Sequence, residues 1–162
     1  MFGAAAPPST GGGLRPWLNA KLPPQQRAAA LLAEMELEEK VTLMHGTGWG
    51  VGKYVGMTAP VDRLGIPALH LNDGPQGFRC NGLGVCPPGT STQFPSGLTI
   101  AAAWDPGAAH AWGAAMGTEF FNKGAHVQLG PGMCIARVPN NGRNFEYQSG
   151  ACVRAWVRHS VV

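Results

Sequence analysis

The stretch Ile66–Arg79 constrains the fold most, because a short apolar run in it ends abruptly in a polar turn. The run Ala68–Leu71 follows a proline and has the length of a buried strand, so it predicts one. The run stops at Asn72–Pro75, whose Asn, Asp, Gly and Pro favour a turn. A carboxylate, Asp73, therefore stands where a buried strand ends, and Arg79 follows within the same stretch. Ligands of parallel α/β proteins bind at that end of the strands, which makes this stretch the first candidate binding site.

Upstream of this stretch the sequence predicts helix and then loop. Gln25–Met44 has apolar residues near a 3.6-residue period, which predicts one helix or two short helices with a break near Met35. The glycine-rich segment 46–56 lacks the spacing of a dinucleotide-binding loop, so it does not favour phosphate binding. Two interpretations of it stay open: a loop that carries an aromatic side chain such as Tyr54 near a site, or a plain surface loop.

Downstream, a second helix has clear start and stop signals. Asp105 suits the N-cap position and Pro106 the first helical position. The helix is expected to end at about Asn122 or Lys123, before Gly124. Five apolar residues are candidates for its buried face: Ala109, Trp112, Met116, Phe120 and Phe121.

Strand signals return after this helix. His126–Pro131 predicts a second short strand, Ile135–Val138 a brief extended piece, and Pro139–Tyr147 a polar loop. The order strand, helix, strand indicates βα units and a parallel sheet, of which we count two or three strands. The sequence therefore predicts an α/β fold.

Composition excludes several classes of partner and leaves the compartment open. The net charge of +3 is scattered over the chain, which disfavours nucleic acid or an anionic membrane as partner. No apolar run is long enough to cross a bilayer, and Met1–Gly13 does not have the regions of a signal peptide, so localisation stays unknown. No ligand spacing indicates a metal, and no cofactor is predicted. Cys80 and Cys86 could close a small disulfide loop or stay free thiols.

Four charged residues at the ends of predicted elements carry the candidate chemistry: Asp73, Arg79, Arg143 and Glu146. Asp73 and Glu146 could form the acid/base pair of a glycosidase. Alternatively, a carboxylate that accepts bonds from neighbouring sugar hydroxyls and an arginine that donates to oxygens would clamp a polyol. The structural alternatives are an Asx turn at Asp73 and an ion pair between Arg143 and Glu146 that fixes its loop.

At these residues the sequence resembles a known family. Four segments, Leu32–Val41, Gly65–Arg79, Phe94–Pro95 and Gly142–Glu146, look like the amino-terminal part of glycoside hydrolase family 3. This family contains β-glucosidases and related exo-acting β-glycosidases. The resemblance covers about Leu18 to Gly150 with the motifs in the same order.

The resemblance implies a (β/α)8 barrel of which this chain holds about three βα units, so the barrel would be incomplete. It also implies retention through a covalent glycosyl-enzyme. By resemblance Asp73 and Arg143 bind the sugar at the cleaved position, Arg79 binds nearby, and Glu146 supports the loop. The expected ligand is a small β-glucoside or an oligosaccharide.

The departures from the family limit what this chain can do alone. The family's nucleophile motif, its sugar-binding Lys-His pair and its acid/base glutamate have no match among the 162 residues. Residues 151–162 leave the family pattern and suggest a frameshift, a retained intron or a truncated gene model. We therefore divide the chain into a disordered leader (1–17), a partial barrel domain (18–150) and an off-pattern tail (151–162). The expected function is that of a β-glucosidase fragment without activity of its own, and the alternatives are a non-catalytic sugar-binding remnant or a functionless fragment.

Overall fold

The computed structural model describes residues 15–48, 52–80, 89–133 and 137–148. Residues 1–14 of the predicted leader, Cys86, the first half of the predicted extended piece 135–138, and the tail 151–162 lie outside the described residues. The described residues form two compact units. The first comprises residues 15–47 and 58–68, and the second comprises the other described residues.

The first unit is built mainly from helix. Its elements are a 3-10 turn at Pro16–Leu18, helix α1 at Pro24–Glu34, helix α2 at Leu37–Met44, a two-residue strand β1 at Gly46–Thr47 and a 3-10 turn at Asp62–Leu64. The alternative of two helices with a break is confirmed, because Met35 leaves the helical conformation. Helix α2 then begins with a capping box: the side chain of Glu36 accepts from the Glu39 backbone, and the Glu39 carboxylate accepts from the Glu36 N–H.

The break in the helical segment serves the core of this unit. Met35, at the break, is buried together with Trp17, Val61 and Leu64. The indole N–H of Trp17 donates to the carbonyl of Leu64 at 3.3 Å, so the polar atom of this buried ring is satisfied. The break between the two helices thus falls at a residue of the buried cluster.

The second unit contains a small sheet and two helices. Its elements are β2 (Gly56–Thr58, whose last residue belongs to the first unit), β3 (His70–Asp73), α3 (Gly97–Ala102), α4 (Pro106–Asn122), β4 (Val127–Leu129) and a 3-10 turn at Asn144–Glu146. Strand β3 pairs parallel with β4, with Leu71 opposite Val127 and Asp73 opposite Leu129. Strand β3, the two helices and β4 thus form one βαβ unit, which confirms a mixed α/β fold.

Three details of the secondary structure differ from the sequence prediction. Strand β1 and the first residue of β2, Gly56, lie in the segment 46–56 that was interpreted as a loop. Strand β2 pairs antiparallel with β3, with Gly56 opposite Leu71. Strand β3 begins two residues later than predicted and includes Asp73, because the ladder with β4 continues to that residue. Helix α3 was not predicted, and the Ser96 side chain caps it by accepting from the Thr99 N–H.

Helix α4 follows its sequence signals. The Asp105 carboxylate accepts from the N–H groups of Gly107 at 2.8 Å and Ala108 at 3.1 Å, and Pro106 is the first helical residue. Gly124, with a φ of 82°, ends the helix in a left-handed conformation that suits glycine. The start and stop predictions are therefore confirmed.

The buried face of α4 forms the core of the second unit. Trp112, Met116 and Phe120, spaced four residues apart, are buried and pack with Phe78 and Ala125. Phe121 is 80% exposed, so its assignment to the buried face was wrong. It stands about 100° around the helix from Phe120. Since Phe78 belongs to the stretch that follows β3, the core directly supports the candidate site.

Within the described ranges, none of the helices has the length and apolar character needed to cross a membrane.

Candidate functional site

The four predicted site residues meet at one pocket of about 530 Å³ in the second unit. Asp73 and Arg79 enter it from the end of β3, and Arg143 and Glu146 enter it from the loop around the last 3-10 turn. The remaining lining comes from the 74–78 segment, from Ser91, Thr92 and Gln93, and from Phe145. Residues far apart in sequence therefore share one cavity.

The end of β3 is held by a buried asparagine. Asn72 is fully buried; its side-chain oxygen accepts from the Val55 N–H at 3.0 Å and its amide donates to the carbonyl of Arg79 at 2.9 Å. The Arg79 N–H in turn donates to the carbonyl of Asp73 at 2.9 Å. Both ends of the 73–79 segment are thus tied together, which fixes Asp73 and Arg79 beside each other.

The Asp73 carboxylate is partly accessible and bonded on one side. Arg79 Nη1 donates to Asp73 Oδ2 at 3.0 Å, and the Asp73 side chain is 31% exposed. Among the described residues, this carboxylate bonds the arginine and no backbone N–H of the following turn, so the Asx-turn alternative is not the arrangement observed. The carboxylate keeps acceptor capacity that faces the pocket.

Arg143 and Glu146 form a bidentate ion pair. Arg143 Nε donates to Glu146 Oε2 at 2.7 Å, and Nη2 donates to Oε1 at 2.8 Å. The guanidinium also lies 5.8 Å from the centre of the Tyr147 ring. The structural ion pair considered from the sequence is therefore present. One edge of the guanidinium is occupied, while the Arg143 side chain remains 67% exposed.

The ion pair shifts the pKa of both of its members. The hydrogen bonds from Arg143 lower the pKa of Glu146 below its usual value, against a smaller opposing effect of burial. The Glu146 carboxylate raises the pKa of Arg143, and the negative charge of Asp73 adds to this effect. A general acid needs a raised pKa so that it holds a proton near neutral pH. The direction at Glu146 is the opposite, which disfavours the acid/base-pair interpretation.

Sequence reasoning did not identify a second wall of the pocket, formed by Ser91, Thr92 and Gln93. This segment lies against the turn after β3: the Phe94 N–H donates to the carbonyl of Gln76 at 2.9 Å. A side chain at Gly77, whose φ is +135°, would collide with the carbonyl of Thr92. The available signal was the polar run 90–93 inside a long loop, because such loops are often functional.

Cys80, next to Arg79, is in a disulfide. Its partner lies outside the described residues, so the structure supports the disulfide alternative for Cys80 without testing the pairing with Cys86. The Cys80 sulfur lies 3.5 Å from the Ser91 hydroxyl on the second wall. No cluster of three or more His, Cys, Asp or Glu side chains suited to a metal occurs in the described part of the chain.

Curated proteins with similar sequences are fungal β-glucosidases. The chain is 43% identical over 135 residues to β-glucosidase A of Aspergillus kawachii, a match that covers 81% of this chain and 15% of that protein. It is 44% identical over 131 residues to a probable β-glucosidase A of Aspergillus terreus, covering 80% of this chain and 14% of that protein. No family model matches the chain.

Solved structures agree with these sequence matches. A glycoside hydrolase family 3 β-glucosidase from Neurospora crassa aligns with a TM-score of 0.60 and 36% identity, over 75% of this chain and 14% of that one. The chain is a β-glucosidase-like segment of glycoside hydrolase family 3. β-Glucosidase 3B from Thermotoga neapolitana, solved in complex with glucose, aligns with a TM-score of 0.66 and 37% identity, over 74% of this chain and 18% of that one.

These matches confirm the family resemblance seen in the motifs. They also set its extent, because the chain spans only 14–15% of the length of the two curated relatives named above. The small mixed sheet with its two helices matches part of a family 3 β-glucosidase. All four candidate site residues line one pocket of this chain.

Proposed function

We propose that this chain forms the sugar-binding part of a family 3 β-glucosidase site, as part of a (β/α)8 barrel. The activity of the whole site would be hydrolysis of terminal β-D-glucosyl residues by a retaining exo-acting β-glycosidase. The observation that carries the proposal is the common pocket of Asp73 and Arg143, which come from segments 70 residues apart. The relatives' identity as β-glucosidases supports the choice of ligand class.

The geometry suits a hexose ring. Arg79 occupies Asp73 Oδ2, which leaves the other carboxylate oxygen to accept from sugar hydroxyls. Glu146 occupies Nε and Nη2 of Arg143, and the remaining guanidinium donors can bond sugar oxygens. Each arginine is thus held by a carboxylate before any ligand arrives, which reduces the conformational entropy lost on binding.

In this proposal binding and cleavage are separate properties. The chain contributes Asp73, Arg79 and Arg143 as substrate-binding residues and Glu146 as support. The family's nucleophile motif and acid/base glutamate have no match among the 162 residues. We therefore expect the chain on its own to bind a sugar weakly and to release no product. Sugar binding without turnover would identify a sugar-binding fragment, whereas a functionless fragment would show neither.

The test is a titration of the full chain with methyl β-D-glucopyranoside, followed by amide NMR shifts. We expect saturable shifts at the pocket lining and a millimolar Kd. Asp73→Asn and Arg143→Met should each weaken binding by about tenfold or more, because each removes hydrogen bonds to a charged group. Asp62→Asn, an exposed aspartate of the first unit, is the matched control and should not change the Kd.

Two results would refute the proposal. Saturating sugar without any shift at the pocket would identify a fragment that does not bind. Turnover of an aryl β-glucoside by the full chain, above an Asp73→Ala control, would contradict the separation of binding from cleavage.

A further inference from the structure

A carboxylate outside the pocket lining holds one of its walls. Glu119 lies on helix α4, and both of its carboxylate oxygens accept from the Thr92 N–H, at 3.1 and 3.2 Å. Thr92 lines the pocket and Glu119 does not. Hydrogen bonds from a backbone N–H to an ionised carboxylate are stronger than those between neutral groups.

The wall needs such external support because it has no regular structure. Ser91, Thr92 and Gln93 are exposed and lie in neither helix nor strand. Bonds on either side of the Thr92 N–H also hold the segment: Lys123 Nζ donates to the carbonyl of Thr90, and the Phe94 N–H donates to the carbonyl of Gln76. The Cys80 sulfur lies 3.5 Å from the Ser91 hydroxyl as well. Glu119 therefore holds the middle of the wall at Thr92, while Lys123 and Gln76 hold the residues on either side of it.

The middle of the wall also lies close against the turn after β3. The carbonyl of Thr92 lies so close to Gly77 that a Cβ there would collide with it. The Thr92 peptide unit thus contacts Gly77 through its carbonyl and Glu119 through its N–H. Its orientation decides where the neighbouring Ser91 and Gln93 side chains stand in the pocket.

We propose that Glu119 is a positioning residue of the sugar pocket: it orients the Thr92 peptide so that the polar wall 91–93 recognises the hydroxyls of the bound hexose. This inference rests on the proposed sugar-binding function and adds a residue outside the Asp73–Arg143 clamp. Removal of the carboxylate leaves the Thr92 N–H to water and lets the wall turn away from the ligand. The clamp itself remains in place.

The test combines two readouts on the full chain. The first is the Kd for methyl β-D-glucopyranoside, and the second is the hydrogen-exchange rate and shift of the Thr92 amide. Glu119→Ala should weaken binding by about tenfold, as expected for loss of one hydrogen bond to a charged group, and should accelerate exchange at Thr92. Glu119→Gln keeps an acceptor oxygen and should restore most of both values. Thr118→Ala removes a side-chain bond on the same helix and is the control.

The outcomes separate this inference from the proposed function. Unchanged Kd and unchanged Thr92 exchange in folded Glu119→Ala would overturn it, as would equal losses in the Ala and Gln variants. If the wild-type chain binds no sugar, the proposed function and the recognition role both fail. In that case accelerated Thr92 exchange in Glu119→Ala would still support the bond between Glu119 and Thr92 alone, and unchanged exchange would refute that as well. If Glu119→Ala does not fold, Thr92 exchange in the wild-type chain decides: a protected amide supports the bond to Glu119, and exchange as fast as that of an unprotected amide overturns the inference.

Discussion

Two adjacent phenylalanines on α4 give a direct test of the fold, because they differ in almost nothing but burial. Phe120 is 3% exposed and Phe121 is 80% exposed. Both residues sit in the last turns of the same helix, and the apolar pattern alone does not distinguish them. We expect Phe120→Ala to destabilise the chain severely and Phe121→Ala to leave its stability nearly unchanged.

The expected magnitude follows from the contacts of each ring. Phe120 packs in the core with Phe78, whose ring centre lies 5.1 Å away at an interplanar angle of 67°. Such an edge-to-face pair contributes about 0.5–1.5 kcal/mol beyond the area it buries. With the transfer and cavity terms, a buried Phe→Ala change costs about 3–5 kcal/mol. At position 121 the ring is in water already, and alanine's higher helix propensity limits the change to about ±0.5 kcal/mol.

The assay is urea denaturation of the full chain followed by far-UV circular dichroism, with the slope checked to be the same for each variant. If Phe120→Ala is unfolded without urea, Phe120→Leu gives a measurable smaller loss, since most of the volume stays. Equal midpoints for the Phe120→Ala and Phe121→Ala chains would refute the packing of α4 described here. A loss at Phe121 alone would mean that the helix is rotated by about 100°.

Three further predictions concern the caps and the site. Because Arg143 lowers the pKa of Glu146, the ion pair should persist as the pH falls through about 4.3, the usual glutamate value, and be lost only at the lower folded-state pKa. In Arg143→Met, carboxyl NMR titration should show the pKa of Glu146 rising toward the usual value, and an unchanged pKa would contradict the pairing. Asp105→Ala should cost about 1 kcal/mol in urea denaturation by removing the N-cap, and Asp105→Asn much less; equal losses would argue against capping. Asn72→Ala should lower the free energy of unfolding by about 2 kcal/mol or more, since it removes the partners of the Val55 N–H and the Arg79 carbonyl. A loss below about 0.5 kcal/mol in urea denaturation would mean that water replaces both bonds.

The sequence predicted the helices better than the strands, for a physical reason. Helix α4 carries its own boundary signals, Asp105 and Gly124, and these act on neighbouring residues. Strands β2 and β4 have three residues each, so their pairing depends on what lies beside them in space. The antiparallel contact of β2 with β3 could not be predicted, because β2 begins only at the last residue of the glycine-rich segment and is too short to show an alternating pattern.

The candidate site likewise combines features set by local sequence with features set by tertiary contacts. Asp73 and Arg79 were predictable because turn chemistry and residue type coincide in one short stretch. Arg143 and Glu146 were predicted as candidates, but the shared pocket with Asp73 depends on tertiary contacts that no local pattern encodes. The second wall was missed for a related reason: Thr92 has an ordinary side chain, and its position depends on Glu119, which comes 27 residues later in the chain.

The site and the core of the second unit are linked through one residue, Phe78. Gly77 and Arg79 flank it and face the pocket, while the Phe78 ring is buried against Phe120 and is approached by Lys123 at 5.3 Å from its centre. Any rotation of this segment that moved Arg79 away from Asp73 would also pull an aromatic ring from the core, at a cost of several kcal/mol. An exposed ion pair alone stabilises its geometry by less than about 1 kcal/mol. The packing of Phe78, more than the salt bridge, therefore keeps Asp73 and Arg79 in the arrangement that a sugar would meet.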